Sequence, residues 1–237
     1  MLSTSRNLQT IVCTASAMPV EDRQSPEALA QQLRTLLRDT HDADAAIVLP
    51  DMAARFFMTT PPRNAAHLAD CAAAAGLRFQ EIYGEPPLAW QLEADWNARH
   101  AFLTCALPRP LLGAVQQVAQ EQRLNLISVV PQFVAAWNRW HASIAEPAWF
   151  ATLHDNCLTL AAIEQQQLQA VRSLVLPAVA LQDSRWLARH LEREALRLDL
   201  PTPKRLQLCG EVPEPWRRTN LSPATLHCEI LDRGAAS

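Results

Sequence analysis

The sequence predicts an α/β protein with mixed sheets, built from two successive halves. In the first half, short apolar runs typical of strands alternate with amphipathic helical segments. From residue 148 onward, short strands follow one another with only brief polar breaks, which is typical of an antiparallel meander. Because HASIAEPA before this change has turn character, we divide the chain into residues 1–143 and 144–237. With 49% apolar and 19% charged residues, the 237-residue chain can bury a core.

The first half contains strand and helix signals in alternation. Strands are predicted at residues 8–14, 45–50, 55–60, 101–107 and 124–130, and helices at residues 25–39, 64–75, 111–121 and 133–140. The helix at 25–39 has the clearest start, with Ser25 as N-cap and Pro26 in the first turn. Its predicted core stripe is Leu29, Leu33, Leu36 and Leu37. Gly76 is predicted to end the helix at 64–75.

The second half has the element order of a ribonuclease H-like unit. A three-stranded meander over residues 148–175 is followed by a helix at 184–198, a strand at 205–209, a Pro-rich connection and a strand at 224–231. Two such units in tandem make an actin-like fold. The sequence therefore predicts two ribonuclease H-like halves with mixed sheets.

Composition excludes several classes of function. The net charge of −3 and the scattered arginines argue against nucleic acid as a partner. The 5 glycines stand alone, so neither a P-loop nor a dinucleotide-binding loop can be written. The 6 cysteines form no CxxC pair, which argues against a zinc site, and the four that lie in apolar runs are predicted to be buried apolar residues. With no signal peptide and no long apolar run, we expect a cytoplasmic protein.

Four stretches together resemble the actin-like pilus and secretion assembly family, which includes PilM and the cytoplasmic domain of GspL. They are MPVEDRQSPEALAQQLRTLL, AAIVLPDMAARFFMTTPP, the long run from LTCALPRPLLG to FVAAWNRW, and WFATLHDNCLTLAAIEQQQLQAVRSLVL followed by RLQLCGE. The resemblance implies a non-catalytic scaffold of a type IV pilus or type II secretion system. It also implies docking on the cytoplasmic tail of an inner-membrane partner, contact with the assembly ATPase complex, and a location at the inner face of the inner membrane.

The sequence departs from nucleotide-hydrolysing actin-like proteins at the phosphate-binding turns. The first half is expected to lack the initial strand turn, because the strand at 8–14 has no such turn before it. The second turn falls at His154, Asp155 and Asn156, where no glycine allows close approach to a phosphate, and only Gly210 remains of the adenosine-binding glycine pair. We therefore expect no cofactor and no catalysis, with Asp155 and Gly210 as vestiges of a nucleotide site.

Two alternatives stay open at this stage. One is an active enzyme on the same fold, either a sugar-kinase-like ATPase or a ribonuclease H-like nuclease that uses carboxylates to hold metal ions. The carboxylates at strand ends are Asp51, Asp155, Glu164 and Glu229. Asp51 is interpreted as a turn residue that makes local hydrogen bonds, and Glu164 as facing water. The other alternative is a homo-oligomeric structural protein.

Aromatic residues and an arginine suggest where a partner could bind. Trp137 and Trp140 flank Arg139 in one helix, while Trp90 and Trp96 lie in a stretch with weak strand character. Aromatic and Arg side chains close together are typical of protein-binding patches. We assign these five residues to partner binding. An incomplete first sheet would also leave an edge open to strand addition by another chain.

Overall fold

A computed structural model describes residues 8–13, 25–145, 147–217 and 226–231, and it has the α/β class and mixed sheets that the sequence predicts. The strands are β1 Leu8–Val12, β2 Asp44–Leu49, β3 Arg55–Thr59, β4 Trp90–Ala94, β5 Phe102–Pro108, β6 Asn125–Pro131, β7 Trp149–His154, β8 Cys157–Glu164, β9 Gln167–Val175, β10 Arg205–Gly210 and β11 His227–Ile230. The helices are α1 Pro26–Leu36, α2 Leu68–Tyr83, α3 Arg109–Glu121, α4 Gln132–Trp140, α5 Ala178–Gln182 and α6 Ser184–Leu198. Within these ranges, no helix is long and apolar enough to cross a membrane.

The second half contains a 5-stranded sheet in the order β11-β10-β7-β8-β9. Strands β7, β8 and β9 form the predicted antiparallel meander, and β10 is parallel to both β7 and β11. The meander turns have two residues each, Asp155-Asn156 and Gln165-Gln166, and all four have positive φ. That conformation matches the twist of a tight hairpin and is tolerated best by Asn, Asp and Gly. The meander, helix α6 and strands β10 and β11 follow one another along the chain as the sequence predicts.

The first half repeats only the parallel part of that sheet. Strands β1, β2 and β6 form a 3-stranded parallel sheet in that order, as β7, β10 and β11 do in the second half. Among the described residues, nothing in the first half corresponds to β8 and β9. A separate antiparallel sheet, ordered β3-β5-β4, is inserted between β2 and α3 and is hereafter called the small sheet.

Helices cover the sheets and form the cores. Helices α1 and α3 pack on the first-half sheet through apolar residues that include Leu33 and Val115. Helices α5 and α6 pack on one face of the 5-stranded sheet, where Leu187 and Leu191 are fully buried. Helix α4 packs on its other face, with Phe133 against Phe150. The C-terminal helix of the first half therefore joins the two halves.

Two details of the predicted helices are wrong. Helix α2 starts and ends later than predicted, so Gly76 lies in its interior and Gly84, at φ +67°, caps its end. Its start is fixed by Asp70, whose carboxylate accepts hydrogen bonds from the backbone N–H groups of Ala66 and His67. In α1, Leu36 is 49% exposed, and Ala30 takes its predicted place on the buried stripe.

Candidate functional site

A groove of about 1130 Å³ runs between the small sheet and helices α3 and α4. The open face of the small sheet, opposite α2, forms one wall, and residues of α3 and α4 form the other. Its lining includes Met58, Gln91, Glu93, Leu103, Cys105, Leu107, Leu112, Gly113, Gln116, Val130, Val134, Trp137, Asn138 and His141. The groove is preformed by elements of regular structure, as ligand sites usually are.

Both apolar and polar side chains line the groove. Leu103, Leu107 and Val134 contribute apolar surface. Two acidic residues, Glu93 and Asp95, line it from the β4 side and are exposed. Such a surface can bury apolar side chains of an extended segment while its rim bonds the polar groups.

Trp137 lines the groove from α4, and its indole packs against three neighbouring rings. Its indole stacks on Phe133 at 6.2 Å and packs against Phe150 at 5.9 Å. The His141 ring lies 5.9 Å away, and its Nδ1 is 3.0 Å from the backbone oxygen of Trp137. A half-buried tryptophan fixed in this way offers apolar surface with little entropy to lose on binding.

Cys105 lines the groove, and its thiol has low reactivity. Burial, with a smaller contribution from the nearby Asp51 and Glu93 carboxylates, raises the pKa of its thiol to about 12. The thiol is therefore protonated at neutral pH and is a poor nucleophile.

The other residues assigned to partner binding occupy different environments. Trp90 is only 9% exposed and belongs to the core of the small sheet, where its Nε1 donates to Glu85 at 3.0 Å. Trp96 is half-buried and packs edge-on against Phe102, beside the groove. Arg139 is exposed and lies 5.1 Å from the ring centre of Trp140, outside the groove lining. Of the five, Trp137 alone lines the groove.

Asp51 is a buried hydrogen-bond acceptor between the two halves, which corrects its interpretation as a residue of a local turn. It is 2% exposed, and its Oδ1 accepts the backbone N–H of Phe133 at 2.8 Å, in the first turn of α4. Its Oδ2 accepts the hydroxyls of Thr159 at 2.8 Å and Thr152 at 3.3 Å, on the meander of the second half. Thr159 also lies 2.8 Å from the Ser173 hydroxyl.

Burial dominates the titration of Asp51. Desolvation raises the pKa of this carboxyl from 3.8 to about 6, although its three hydrogen bonds favour the charged form and lower the pKa. The carboxyl thus costs the folded protein free energy once it is ionised. Its donors come from α4 and from the meander of the second half, so the hydrogen bonds of Asp51 connect the two halves.

Asp155 and Gly210, which the sequence suggests as vestiges of a nucleotide site, lie close together at the first meander turn. Gly210 has φ +103°, and a Cβ there would lie 2.3 Å from the Leu153 backbone oxygen and 2.9 Å from His154 Nε2. The backbone N–H of Asp155 donates to the Glu211 carboxylate at 3.3 Å. A phosphate approaching this turn would meet a carboxylate in place of a free backbone donor.

The carboxylates named for a nuclease serve other contacts or lie apart. Glu229 accepts from Gln207 at 3.0 Å, and Glu164 is half-buried at the end of β8. Within the described part of the chain, no three His, Cys, Asp or Glu side chains are grouped so that they could hold a metal ion.

Of the residues that line the groove, the sequence assigned only Trp137 to partner binding. Leu112 and Gly113 face it from α3, and a Cβ at Gly113 would have nothing within 4 Å. The signal in the sequence was Gly113 itself. A lone glycine inside a helical pattern usually has a packing or functional reason.

The strand order of the 5-stranded sheet and its partial repeat in the first half define an actin-like fold. Solved structures that share this fold include a PilM–PilN type IV pilus biogenesis complex, with TM-score 0.63 and 15% identity over 87% of this chain and 75% of that one. A Bacteroides thetaiotaomicron protein with an actin-like ATPase fold and unknown function matches with TM-score 0.62 and 9% identity, over 98% of this chain and 94% of that one.

The cytoplasmic domain of EpsL, an inner-membrane component of the Vibrio cholerae type II secretion system, matches with TM-score 0.52 and 11% identity, over 78% of this chain and 69% of that one. No family model and no curated protein sequence matches the chain. The resemblance stated from the sequence is thereby confirmed at the level of the fold.

Proposed function

We propose that this protein is a non-catalytic assembly scaffold of a type IV pilus or type II secretion-like system. In this proposal it is cytoplasmic, and its groove binds the cytoplasmic tail of an inner-membrane partner as an extended peptide. The observation that carries the proposal is a preformed, largely apolar groove on a fold shared with a PilM–PilN complex. Membrane association would then occur only through the partner, and contact with the assembly ATPase would use another surface.

The shape of the groove favours an extended peptide over a small molecule. It has the small sheet on one side and two helices on the other, and its lining comes from several successive positions of β4, β5, α3 and α4. An extended segment presents alternate side chains to opposite sides, so one set can enter the apolar floor while the other meets the polar rim. The acidic residues Glu93 and Asp95 favour a tail with a positive charge at that side.

The surroundings of Gly210 support a role without nucleotide. Glu211 occupies the backbone donor of the meander turn, and the His154 ring lies against the glycine. ATP bound here would place its negatively charged phosphates where the Glu211 carboxylate lies, and the repulsion between these like charges would weaken binding. On the same grounds we propose that the two halves, divided near residues 143 and 144, do not close around a nucleotide. Instead, they act together as one peptide-binding unit.

Filling the groove tests the proposal without damaging the fold. In Gly113→Leu the new side chain extends into open space, and replacing a helical glycine should raise the free energy of unfolding by about 0.5–1 kcal/mol. The same variant should weaken binding of the partner's tail peptide, measured by calorimetry, by about tenfold or more. Loss of binding would then occur in a protein that is more stable than wild type.

Two variants serve as controls. Gly113→Ala gains helix propensity but adds a single methyl group, so it should bind the peptide nearly as well as wild type. Gly76→Ala makes the same gain in α2, where the new Cβ would lie 3.8 Å from Pro87 and away from the groove. If Gly113→Leu binds the tail with wild-type affinity, the groove is not the docking site.

A further inference from the structure

The first-half sheet has an outer edge at β1 that no described residue covers. Strand β1 pairs with β2 on one side only, in parallel register from Leu8 opposite Asp44 to Val12 opposite Val48. In the second half, β7 holds the same position in its parallel trio, and β8 pairs antiparallel with its other side. In the 5-stranded sheet, the position equivalent to the outer edge of β1 is therefore occupied by an antiparallel strand.

Strand β1 also lacks the protection that the other edge strands have. Exposed edges are usually blocked by a charge, a proline or a bulge, because their free backbone groups otherwise pair with another chain. The described edge strands other than β1 carry such features: Arg55 in β3, Glu93 in β4, an unpaired Ile127 in β6, Arg172 in β9 and Glu229 in β11. Strand β1, LQTIV, has no charge, no proline and no bulge.

The backbone of β1 suits pairing with a second copy of itself. The N–H of Cys13 donates to Val48 of β2 at 2.9 Å, and these groups alternate in direction along a strand. The N–H and C=O groups of Leu8, Thr10 and Val12 accordingly point to the open edge. An antiparallel pair centred on Thr10 sets Thr10 opposite Thr10 and Leu8 opposite Val12, so each outward group meets a partner.

Strand β1 also exposes an apolar side chain, because Val12 is 36% exposed. Pairing of five-residue strands buries less area than a standard protein interface, so the contact should be weak and depend on concentration.

We propose that two copies of this chain associate through their β1 strands, antiparallel about a two-fold axis at Thr10, to form a continuous 6-stranded sheet. The edge of β1 that no described residue covers is thus filled by the same strand of another copy. This surface lies on the first-half sheet and is distinct from the groove.

Sedimentation velocity over a concentration series from about 5 to 500 µM tests the proposal. Wild type should shift from monomer towards dimer across this range. Thr10→Lys sets two like charges opposite each other on the axis and should weaken the association by about tenfold or more. The exposed Thr10 side chain lies outside the core, so an unchanged unfolding midpoint will show that this variant remains folded.

Thr202→Lys is the matched control, because it makes the same change at an exposed threonine of the second half. It should dimerise like wild type. A wild-type protein that stays monomeric throughout the range would overturn the proposal. Equal dimerisation of Thr10→Lys and wild type would overturn it as well, because the contact would then lie elsewhere.

Discussion

Replacing Asp51 with asparagine should change how the stability of this protein depends on pH. The side chain is buried between the halves, and its pKa is raised from 3.8 to about 6. Between these values the folded protein holds a proton on Asp51 that the unfolded chain has lost. The contribution of Asp51 to stability therefore falls as pH rises from about 4 to 6 and is constant above that range.

The shift corresponds to about 3 kcal/mol at about 1.4 kcal/mol for each pH unit. Asparagine has nearly the same shape and stays neutral, so Asp51→Asn should resemble the protonated carboxyl at every pH. Its oxygen can still accept the N–H of Phe133, and Thr159 can turn its hydroxyl towards Ser173, 2.8 Å away. Part of this change already occurs below pH 4, so the free energy of unfolding of the variant, minus that of wild type, should rise by about 2.5 kcal/mol from pH 4 to pH 7.

Urea unfolding of both proteins at several pH values measures this difference, and groups common to both cancel in it. Asp95→Asn, at an exposed carboxyl on the groove rim, controls for the loss of a negative charge. A difference between Asp51→Asn and wild type that does not change with pH would refute the reasoning. So would a difference that favours wild type increasingly as pH rises, since hydrogen bonding would then outweigh burial.

Two further predictions concern single contacts, and a third concerns nucleotide binding. Gly210→Ala should lower the free energy of unfolding by roughly 3 kcal/mol in urea titrations, because its Cβ would lie 2.3 Å from the Leu153 oxygen at φ +103°; an unchanged midpoint would contradict this. Ser25→Ala should cost about 1 kcal/mol in the same assay by removing the hydroxyl that accepts the Ala28 N–H at 3.3 Å, whereas no loss would mean that the cap is dispensable. Mg-ATP at about 5 mM should leave the thermal unfolding midpoint unchanged; a Kd near 100 µM would add about 2 kcal/mol and would revive the ATPase alternative.

Local signals predicted most elements of the fold. Ser25 and Pro26 fix the start of α1 by capping chemistry that acts within one turn, and the prolines after the apolar runs mark the strand ends. The meander was recognisable because its strands are neighbours in the sequence and need only two-residue turns. Such features depend on residues a few positions apart.

Features that depend on distant contacts were not predictable in the same way. Asp51 looks like an ordinary turn residue in sequence, and its partners Phe133, Thr152 and Thr159 are 82 to 108 residues away. The end of α2 was placed at Gly76, although that glycine lies in the helix interior beside Pro87. The groove has residues from the small sheet, α3 and α4, so it exists only once these elements pack.

Peptide recognition by the groove is the central claim, and one binding measurement tests it most directly. Overlapping peptides that cover the cytoplasmic segments of the inner-membrane pilus and secretion proteins from the same cell would be screened against wild type and Gly113→Leu. The account predicts that at least one tail peptide binds wild type and is lost, or weakened about tenfold, in Gly113→Leu. Absence of any binding peptide, or equal binding to both proteins, would contradict it.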